Sequence, residues 1–247
     1  LEIVYEKKIK KRRLNKNKIA GGDIGVNNLI AVTSNDREFR PFLINSRNIK
    51  SINQYYNKEK ARLMSELGNV KTKTSKMIKK LSYKRECKID YELHCISTYV
   101  IQTLLKRKIK TFVVGKNNNW KNEVNMGDKN NQEFVSIPHA KFIEMLKYKA
   151  ELVGMEVIVN EESYTSKCSF IDFESLEHHD KYLWKRKHRG LFVSKEGIKI
   201  NADCNGSGNT IRKVFPNAFA DGIEGVVVSP LRIDIMNNNV SLLKRVA

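Results

Sequence analysis

Two aspartates far apart in the chain each lie in a short run of small and apolar residues. Asp23 stands in I-A-G-G-D-I-G-V-N-N-L-I-A-V, and Asp203 stands in I-K-I-N-A-D-C-N-G-S-G-N-T-I-R-K-V. Glu161 and Glu162 directly follow a third apolar run, E-V-I-V-N. Metal-dependent phosphodiester chemistry needs carboxylates gathered in one place, because the metal ions must be held by hard oxygen ligands. The pattern therefore predicts a metal site built from acids of three separate elements.

Each of these acids also has a purely structural interpretation. Asp23 could be a turn residue beside Gly22, and Asp203 could be the N-cap of the helix that follows it. The pair Glu161 and Glu162 could be ordinary surface charge. A single acid is a weak signal, so the metal-site interpretation depends on the three positions together.

The charge of the chain predicts a polyanionic partner. Its 247 residues include 46 Lys and Arg against 27 Asp and Glu, which gives a formal net charge of +19. Such an excess favours nucleic acid, with binding that weakens steeply with salt through counterion release; an anionic membrane surface is the alternative. The sequence has no run of about 18 apolar residues and no N-terminal signal pattern. We therefore expect nucleic acid as the partner, no membrane, and a cytoplasmic, nucleoid-associated location.

Alternating strand-like and helix-like runs predict an α/β fold with a mixed sheet flanked by helices. The predicted strands cover residues 23–32, 38–44, 111–114 and 155–159. The predicted helices are two basic helices within 46–84, then helices over 86–106 and 138–154, and a last helix after Asp203. In this arrangement Asp23 lies near the start of its strand, which brings it to the same edge of the sheet if that hairpin strand is antiparallel to its neighbours. Glu161 and Glu162 follow a strand, and Asp203 precedes the last helix. Ligands of parallel sheets bind at the carboxyl ends of strands, so the acids can converge there.

The cysteines and histidines do not have the spacing of a zinc site. The four cysteines, Cys87, Cys95, Cys168 and Cys204, form no CxxC pair, which argues against both a zinc ribbon and a disulfide framework. A substitute site could use Cys168 with His178, His179 and His188, but the histidine spacings of one, nine and ten residues match no common ligand set. We expect a flexible basic loop there and no zinc.

Several basic residues and one tryptophan are candidates for nucleic-acid contact. The basic candidates for phosphate binding are Lys185, Arg186, Lys187, Arg189, Arg212 and Lys213. Trp120, in N-N-N-W-K, could stack on a base or could anchor the core. The structural alternative for the basic residues is solvated surface.

Four motifs together carry a resemblance to a known family. In order, G-G-D-I-G-V-N-N-L-I-A-V, E-S-Y-T-S-K, R-G-L-F and N-A-D-C-N-G-S-G-N-T-I-R-K-V resemble the TnpB/OrfB family of insertion-sequence proteins, which are often called transposases. The family is related to type V CRISPR effectors and to the Fanzor proteins. The resemblance implies a RuvC-like, RNase H-type nuclease domain that cuts DNA with two Mg²⁺ ions, guided by an RNA from the transposon end. Asp23 then matches the first catalytic Asp and Asp203 the last.

The sequence departs from the family pattern in three places. Many members end the central strand with a catalytic Glu, but here Gly115 follows T-F-V-V. A subgroup with G-x-N-x-x-W-K and E-S-Y-T-S-K is similar to this chain, and Fanzor-like relatives place the second acid later, so the resemblance assigns that role to Glu162, with Glu161 as the alternative. The four-cysteine zinc ribbon of the family is degenerate here, because only Cys168 stands in that segment. The N-terminal wedge and recognition regions are mostly absent, which suggests the C-terminal portion of a longer protein.

The resemblance divides the chain into six segments. They are the end of a wedge-like region with a basic connector (1–18), a first RuvC-like part (19–45), a basic helical insertion (46–84), a second RuvC-like part (85–163), a degenerate zinc-ribbon or target-loading segment (164–200), and a last RuvC-like part with the C-terminal tail (201–247). Two hypotheses remain open. The chain is either a two-metal DNA endonuclease or a truncated, catalytically inactive remnant that only binds nucleic acid.

Overall fold

The computed structural model describes residues 6, 9, 12–68, 74–116, 137–188, 190–227, 229–236 and 239–242. The strands are β1 (Asn15–Ile24), β2 (Asn28–Ser34), β3 (Phe42–Asn45), β4 (Ile109–Lys116), β5 (Glu156–Glu161), β6 (Lys185–His188), β7 (Leu191–Val193), β8 (Lys199–Asn201), β9 (Leu231–Met236) and β10 (Asn239–Leu242). The helices are α1 (Arg47–Leu67), α2 (Lys76–Lys106), α3 (His139–Glu151), α4 (Ala202–Val214) and α5 (Glu224–Val227).

Within these residues the strands form one large mixed sheet and one small antiparallel sheet. The large sheet has seven strands in the order β10-β9-β3-β2-β1-β4-β5, and the small one has the order β6-β7-β8. Strand β1 is antiparallel to β2 but parallel to β4, and β4 is parallel to β5. The prediction of a mixed α/β sheet flanked by helices is confirmed.

The two faces of the large sheet carry separate apolar cores, because successive side chains of a strand point to opposite faces. In β4, Phe112 and Val114 belong to the core under α2 and α3, whereas Val113 belongs to the core under α4. The predicted apolar stripe of α2 is confirmed and lies on the first face; it comprises Ile89, Leu93, Ile96, Val100 and Leu104. The sheet is thus the middle layer of three.

Two predictions for the beginning of the chain differ from the observed structure. Residues 23–32 are not one strand, because a turn around Gly25 separates β1 from β2. Strand β1 begins at Asn15, inside the segment predicted to be a connector. Asp23 therefore lies near the carboxyl end of its strand, not near the start. That position is the usual one for ligand-binding residues of parallel strands.

Helix α2 is longer than predicted. It runs unbroken across the predicted boundary between residues 84 and 85, because no Gly or Pro interrupts Lys76–Lys106. Its apolar stripe begins only at Ile89, and the basic first half packs against α1. There Arg85 donates to Asn53 Oδ1 at 2.7 Å and its guanidinium lies 5.0 Å from the Tyr56 ring centroid. The division of the chain into six segments stays a prediction.

None of the helices in the described part of the chain combines the length and the apolar character that crossing a membrane requires.

One buried histidine makes the stability of the fold depend on pH. His139, the first residue of α3, is 5% exposed, and burial lowers its pKa to about 4. In the unfolded chain a histidine titrates near pH 6.5, so the unfolded state binds more protons below that pH. We expect the free energy of unfolding to fall by about 2 kcal/mol between pH 7 and pH 5 through this residue alone.

Urea denaturation at the two pH values measures this effect. A His139→Leu variant should show a smaller loss of stability on acidification than the wild type, whatever its absolute stability. The exposed His178 provides the control, because His178→Leu should keep the full pH dependence. An unchanged pH dependence in the His139 variant would contradict the prediction.

Candidate active site

Strand β1 presents Asp23 to helix α4. Ile19, Gly21 and Asp23 alternate along the strand and therefore share one face, and Ile19 belongs to the core under α4. A Cβ atom at Gly21 would lie 2.7 Å from Cγ1 of Ile211, so the strand touches the helix directly. A Cβ atom at Gly206 would lie 2.6 Å from Oδ2 of Asp23. The glycines at both positions allow the Asp23 carboxylate to lie against the first turns of α4.

Asp203 lies inside the first turn of α4. The structural alternative, an N-cap, is wrong, because the N-cap is Asn201. Its side chain accepts from the backbone N–H groups of Asp203 at 3.0 Å and Cys204 at 3.2 Å. The Asp203 side chain is therefore available for other contacts, and its Oδ2 accepts from Nδ2 of Asn28 at 2.6 Å. The position at a helix N-terminus also favours a carboxylate electrostatically.

The Glu162 side chain lies against Gly115, at the end of β4. Strand β5 lies beside β4 with Asn160 paired to Gly115, so the chain after β5 passes the end of β4. A Cβ atom at Gly115 would lie 2.7 Å from Cδ of Glu162. The Glu162 carboxylate thus occupies space that a side chain at 115 would need. Glu161, by contrast, is exposed.

The negative charges of Glu162 and Asp203 act on the Asp23 carboxyl group. Burial raises the pKa of Asp23 well above its usual range, and the negative charges of Glu162 and then Asp203 raise it further. Burial, followed by the charges of Asp203 and Asp23, also raises the pKa of the Cys204 thiol well above its usual range, which keeps this thiol protonated. The region therefore concentrates negative charge, and a divalent cation would offset it.

The oxygen donors of Asp23, Glu162 and Asp203 fit Mg²⁺ chemically, although their side chains do not yet surround one point. Among the described residues, no three His, Cys, Asp or Glu side chains are grouped closely enough to hold one ion. Asp23, Glu162 and Asp203 supply only carboxylate oxygens, which are the ligands that Mg²⁺ prefers.

The predicted nucleic-acid contacts have different positions. Lys187 is exposed in β6. The structure describes the backbone of Lys185 and Arg186 in the same strand but not their side chains. Arg189 and Trp120 lie outside the described residues. The roles of these residues in binding stay predictions.

Arg212 and Lys213 have partners within the protein. Arg212 is half-buried, donates to Asn209 Oδ1 at 2.9 Å and to the Glu174 carbonyl at 3.3 Å, and lies 5.0 Å from the Phe173 ring centroid. Burial lowers its pKa. Lys213 donates to the side chain of Ser163 at 2.6 Å. Both side chains therefore make hydrogen bonds within the protein, and nothing in the sequence indicated these bonds.

The segment predicted to be a degenerate zinc ribbon is held by hydrogen bonds. Glu174 is 5% exposed, and its carboxylate accepts from the backbone N–H groups of Ser169 at 2.6 Å and Leu183 at 2.9 Å. Two residues that could have joined Cys168 in a substitute metal site make other contacts. His179 Nε2 lies 2.8 Å from the Ser175 carbonyl oxygen, and the His178 ring packs on Tyr164. The expected absence of zinc stays a prediction.

Two residues of the site have no signal in the sequence. Asn28 donates a hydrogen bond to Asp203, 175 residues away in the chain. Ser163 accepts a hydrogen bond from Lys213, 50 residues away. Asparagine and serine are common in turns, so neither stands out there. The packing of separate elements, and not the local sequence, creates both contacts.

Two family models match this chain. OrfB_IS605, described as a probable transposase, matches residues 2–121. The model described as "Cas12f1-like, TNB domain" matches residues 139–210. The two matches cover both halves of the candidate site, because Asp23 lies in the first and Glu162 and Asp203 lie in the second.

Relatives and solved structures agree with these matches. The TnpB-like protein ORF457 of Acidianus two-tailed virus is 24% identical over 245 residues, which cover 93% of this chain and 48% of that protein. The chain thus spans about half the length of the curated relative. The structure of a Cas12f1–sgRNA–target DNA complex has a TM-score of 0.60 at 18% identity, over 79% of this chain and 50% of that one. A CRISPR-Cas12f ternary complex has a TM-score of 0.58 at 18% identity, over 85% and 41%. At this identity, the likeness shows the fold alone.

Proposed function

We propose that this chain, which belongs to the TnpB/OrfB family of transposases, carries the RuvC-like nuclease site of an RNA-guided DNA endonuclease. The observation that supports the proposal is the proximity of Asp23, Glu162 and Asp203 beside α4, where burial, and then the charges of Glu162 and Asp203, raise the pKa of Asp23. In a family related to the Cas12f nucleases, such a cluster is best explained as a site for cleaving phosphodiester bonds.

In this proposal the three carboxylates hold two Mg²⁺ ions. When bound, the ions would activate water at neutral pH and stabilise the leaving 3′ oxygen. Asn28 fixes the orientation of Asp203 by its hydrogen bond of 2.6 Å. Gly206 leaves room for the Asp23 carboxylate beside the helix, and Gly115 leaves room for that of Glu162. The three carboxylates therefore come from three separate parts of the chain, which are strand β1, the loop after β5 and helix α4.

DNA and a guide RNA are the proposed partners. The related Cas12f1 structure is a complex with sgRNA and target DNA. The net charge of +19 supports polyanion binding by this chain as well. The exposed Lys187 and its basic neighbours in β6 are candidates for phosphate contact. We also propose that the segment 164–200 needs no zinc, since Glu174 links Ser169 to Leu183 within it through backbone hydrogen bonds.

A cleavage assay with the full-length gene product tests the proposal. The assay combines end-labelled DNA, RNA transcribed from the transposon end, and Mg²⁺, with EDTA as the negative control. We expect cleavage products with Mg²⁺ that are absent with EDTA and absent with Asp203→Ala. Salt-sensitive binding without any Mg²⁺-dependent cleavage would instead support the alternative, a catalytically inactive nucleic-acid-binding remnant.

A further inference from the structure

One side of α4 holds the loop that carries Glu162. Three polar residues spaced four apart, Asn205, Asn209 and Lys213, lie along this side of the helix. Asn205 and Asn209 are fully buried. All three donate side-chain hydrogen bonds to the segment between residues 163 and 168. The helix that contributes Asp203 in its first turn therefore also anchors the loop of Glu162.

The two asparagines fix the far end of this loop. Asn205 Nδ2 donates to the Cys168 carbonyl at 2.9 Å, and its Oδ1 accepts from the Phe170 N–H at 2.9 Å. Asn209 Nδ2 lies within 2.9 Å of both the Thr165 and the Cys168 carbonyl oxygens. Buried amides satisfied in this way fix a unique arrangement of backbone.

Lys213 fixes the beginning of the loop at Ser163, the residue after Glu162. Its Nζ donates to Oγ of Ser163 at 2.6 Å and to the carbonyl oxygen of Ser163 at 3.2 Å. Two bonds from one ammonium group to one residue restrain both its backbone and its side chain.

The loop needs such a restraint because its backbone is strained. Tyr164 has a φ of 65°, in the left-handed region that residues other than Gly rarely adopt. Strained residues persist only where surrounding contacts hold them. Tyr164 lies between Ser163, held by Lys213, and Thr165, held by Asn209. Thr165 in turn donates its hydroxyl to the Glu162 carbonyl at 2.9 Å.

We propose that Lys213 is a positioning residue for the metal site: it holds Ser163 and thereby keeps the Glu162 carboxylate over Gly115. This inference rests on the proposed nuclease function. It is an alternative to the sequence-based interpretation of Lys213 as a phosphate contact, because two of the three N–H donors of the ammonium group bond to Ser163. Lys213 itself need not touch the metal ions or the DNA.

The test uses Lys213→Met, which keeps the apolar stem and removes the ammonium group. Lys149→Met is the matched control, because Lys149 also makes hydrogen bonds within the protein. Its Nζ donates to the His94 carbonyl, Ser97 Oγ and Thr98 Oγ1 at 2.7–2.8 Å. These bonds join α3 to α2, on the side of the sheet opposite α4. The probe is Mn²⁺, with the free ion measured by electron paramagnetic resonance. We expect Lys213→Met to bind Mn²⁺ about 10- to 100-fold more weakly than the wild type, as for other residues that orient metal ligands.

Two more measurements separate positioning from DNA contact. If Lys213 positions Glu162, kcat for cleavage falls while KM for DNA and the salt dependence of binding stay unchanged. If Lys213 contacts phosphate instead, DNA binding weakens and its salt slope decreases by about one, with Mn²⁺ affinity unchanged. Lys213→Arg should recover part of the Mn²⁺ affinity, because a guanidinium can also donate to Ser163.

Ser163→Ala provides a second variant in case Lys213→Met does not fold. It removes the shorter bond and leaves the carbonyl contact, so we expect a smaller loss of Mn²⁺ affinity. Wild-type Mn²⁺ affinity in folded Lys213→Met, or in Ser163→Ala if the first variant does not fold, would overturn the inference and leave the nuclease proposal intact. A wild type that neither binds Mn²⁺ nor cleaves DNA would overturn the nuclease proposal, and this inference with it.

Discussion

Replacing Asp23 with Asn should abolish Mg²⁺-dependent cleavage and, in the absence of metal, make the protein more stable. The loss of cleavage follows from the loss of a metal ligand. Because a metal site supplies several kcal/mol of transition-state stabilisation, we expect the cleavage rate to fall by about a thousandfold or more. Salt-sensitive binding of nucleic acid should be nearly unchanged, since the Asn is neutral and similar in size.

The gain in stability follows from the raised pKa of Asp23, which has burial as its largest cause and the charges of Glu162 and Asp203 as further causes. A carboxyl group whose pKa is higher in the folded than in the unfolded chain stabilises the fold at low pH. That contribution is lost as the pH rises through the folded-state pKa. In EDTA, Asp23→Asn should therefore melt at a higher temperature than the wild type at pH 7. The difference should shrink toward pH 4, and Mg²⁺ should stabilise the wild type but not the variant.

Asp36 provides a control of opposite sign. Burial opposes its ionisation, but the hydrogen bond from Lys18 and the charge of Arg107 outweigh burial, and the pKa of Asp36 is lowered. Asp36→Asn should therefore lower the melting temperature at pH 7 and leave the Mg²⁺ response intact. Retained Mg²⁺-dependent cleavage in Asp23→Asn, or a melting temperature below that of the wild type in EDTA, would contradict the assignment of Asp23.

Replacing Glu162 with Gln should also abolish cleavage, whereas the same change at Glu161 should have little effect. The two residues are neighbours with the same chemistry, so they form a matched pair. Glu162 lies over Gly115 and acts on the pKa of Asp23, but Glu161 is the exposed last residue of β5. We expect a loss of about a thousandfold for the first change and less than about twofold for the second. Comparable activity of the two variants would mean that Glu162 is not the second acid.

Gly115→Ala tests the assignment of Glu162 from the neighbouring strand, β4. Its added methyl group would overlap the Glu162 carboxyl group, whose Cδ lies 2.7 Å from the new Cβ. The far end of a glutamate side chain can move aside, so the fold should change little in stability. The carboxylate would leave its place, however, and cleavage should fall sharply. A double variant, Gly115→Glu with Glu162→Gly, returns an acid to the end of β4 and should recover part of the activity. A Gly115→Ala variant with normal cleavage would contradict the assignment.

The sequence by itself identified the candidate metal ligands and determined the general architecture. Net charge and composition do not depend on folding, so they indicated a polyanionic partner directly. Local periodicity identified the apolar stripe of α2, because residues three and four apart in a helix share a face whatever the rest of the chain does. The isolated acids Asp23 and Asp203 stood out because a charge among small apolar residues is unusual at any level of structure.

Boundaries and local roles were less certain from the sequence. Asp23 was predicted near the start of a strand and lies near its end, because the turn at Gly25 divides an apolar run that reads as continuous. Asp203 could have been a helix cap, and only the hydrogen bonds of Asn201 show that another residue fills that role. Local rules allowed both interpretations, and the three-dimensional packing chose between them.

Only the tertiary structure decided which residues support the acids. The order of strands places β5 beside β4, and this adjacency brings the Glu162 carboxylate over Gly115. The packing of α4 on β1 brings Gly206 against Asp23, and it directs Lys213 to Ser163, 50 residues away in the chain. Contacts between residues so far apart leave no periodic trace in the sequence, because they depend on how separate elements pack and not on any one element's local pattern.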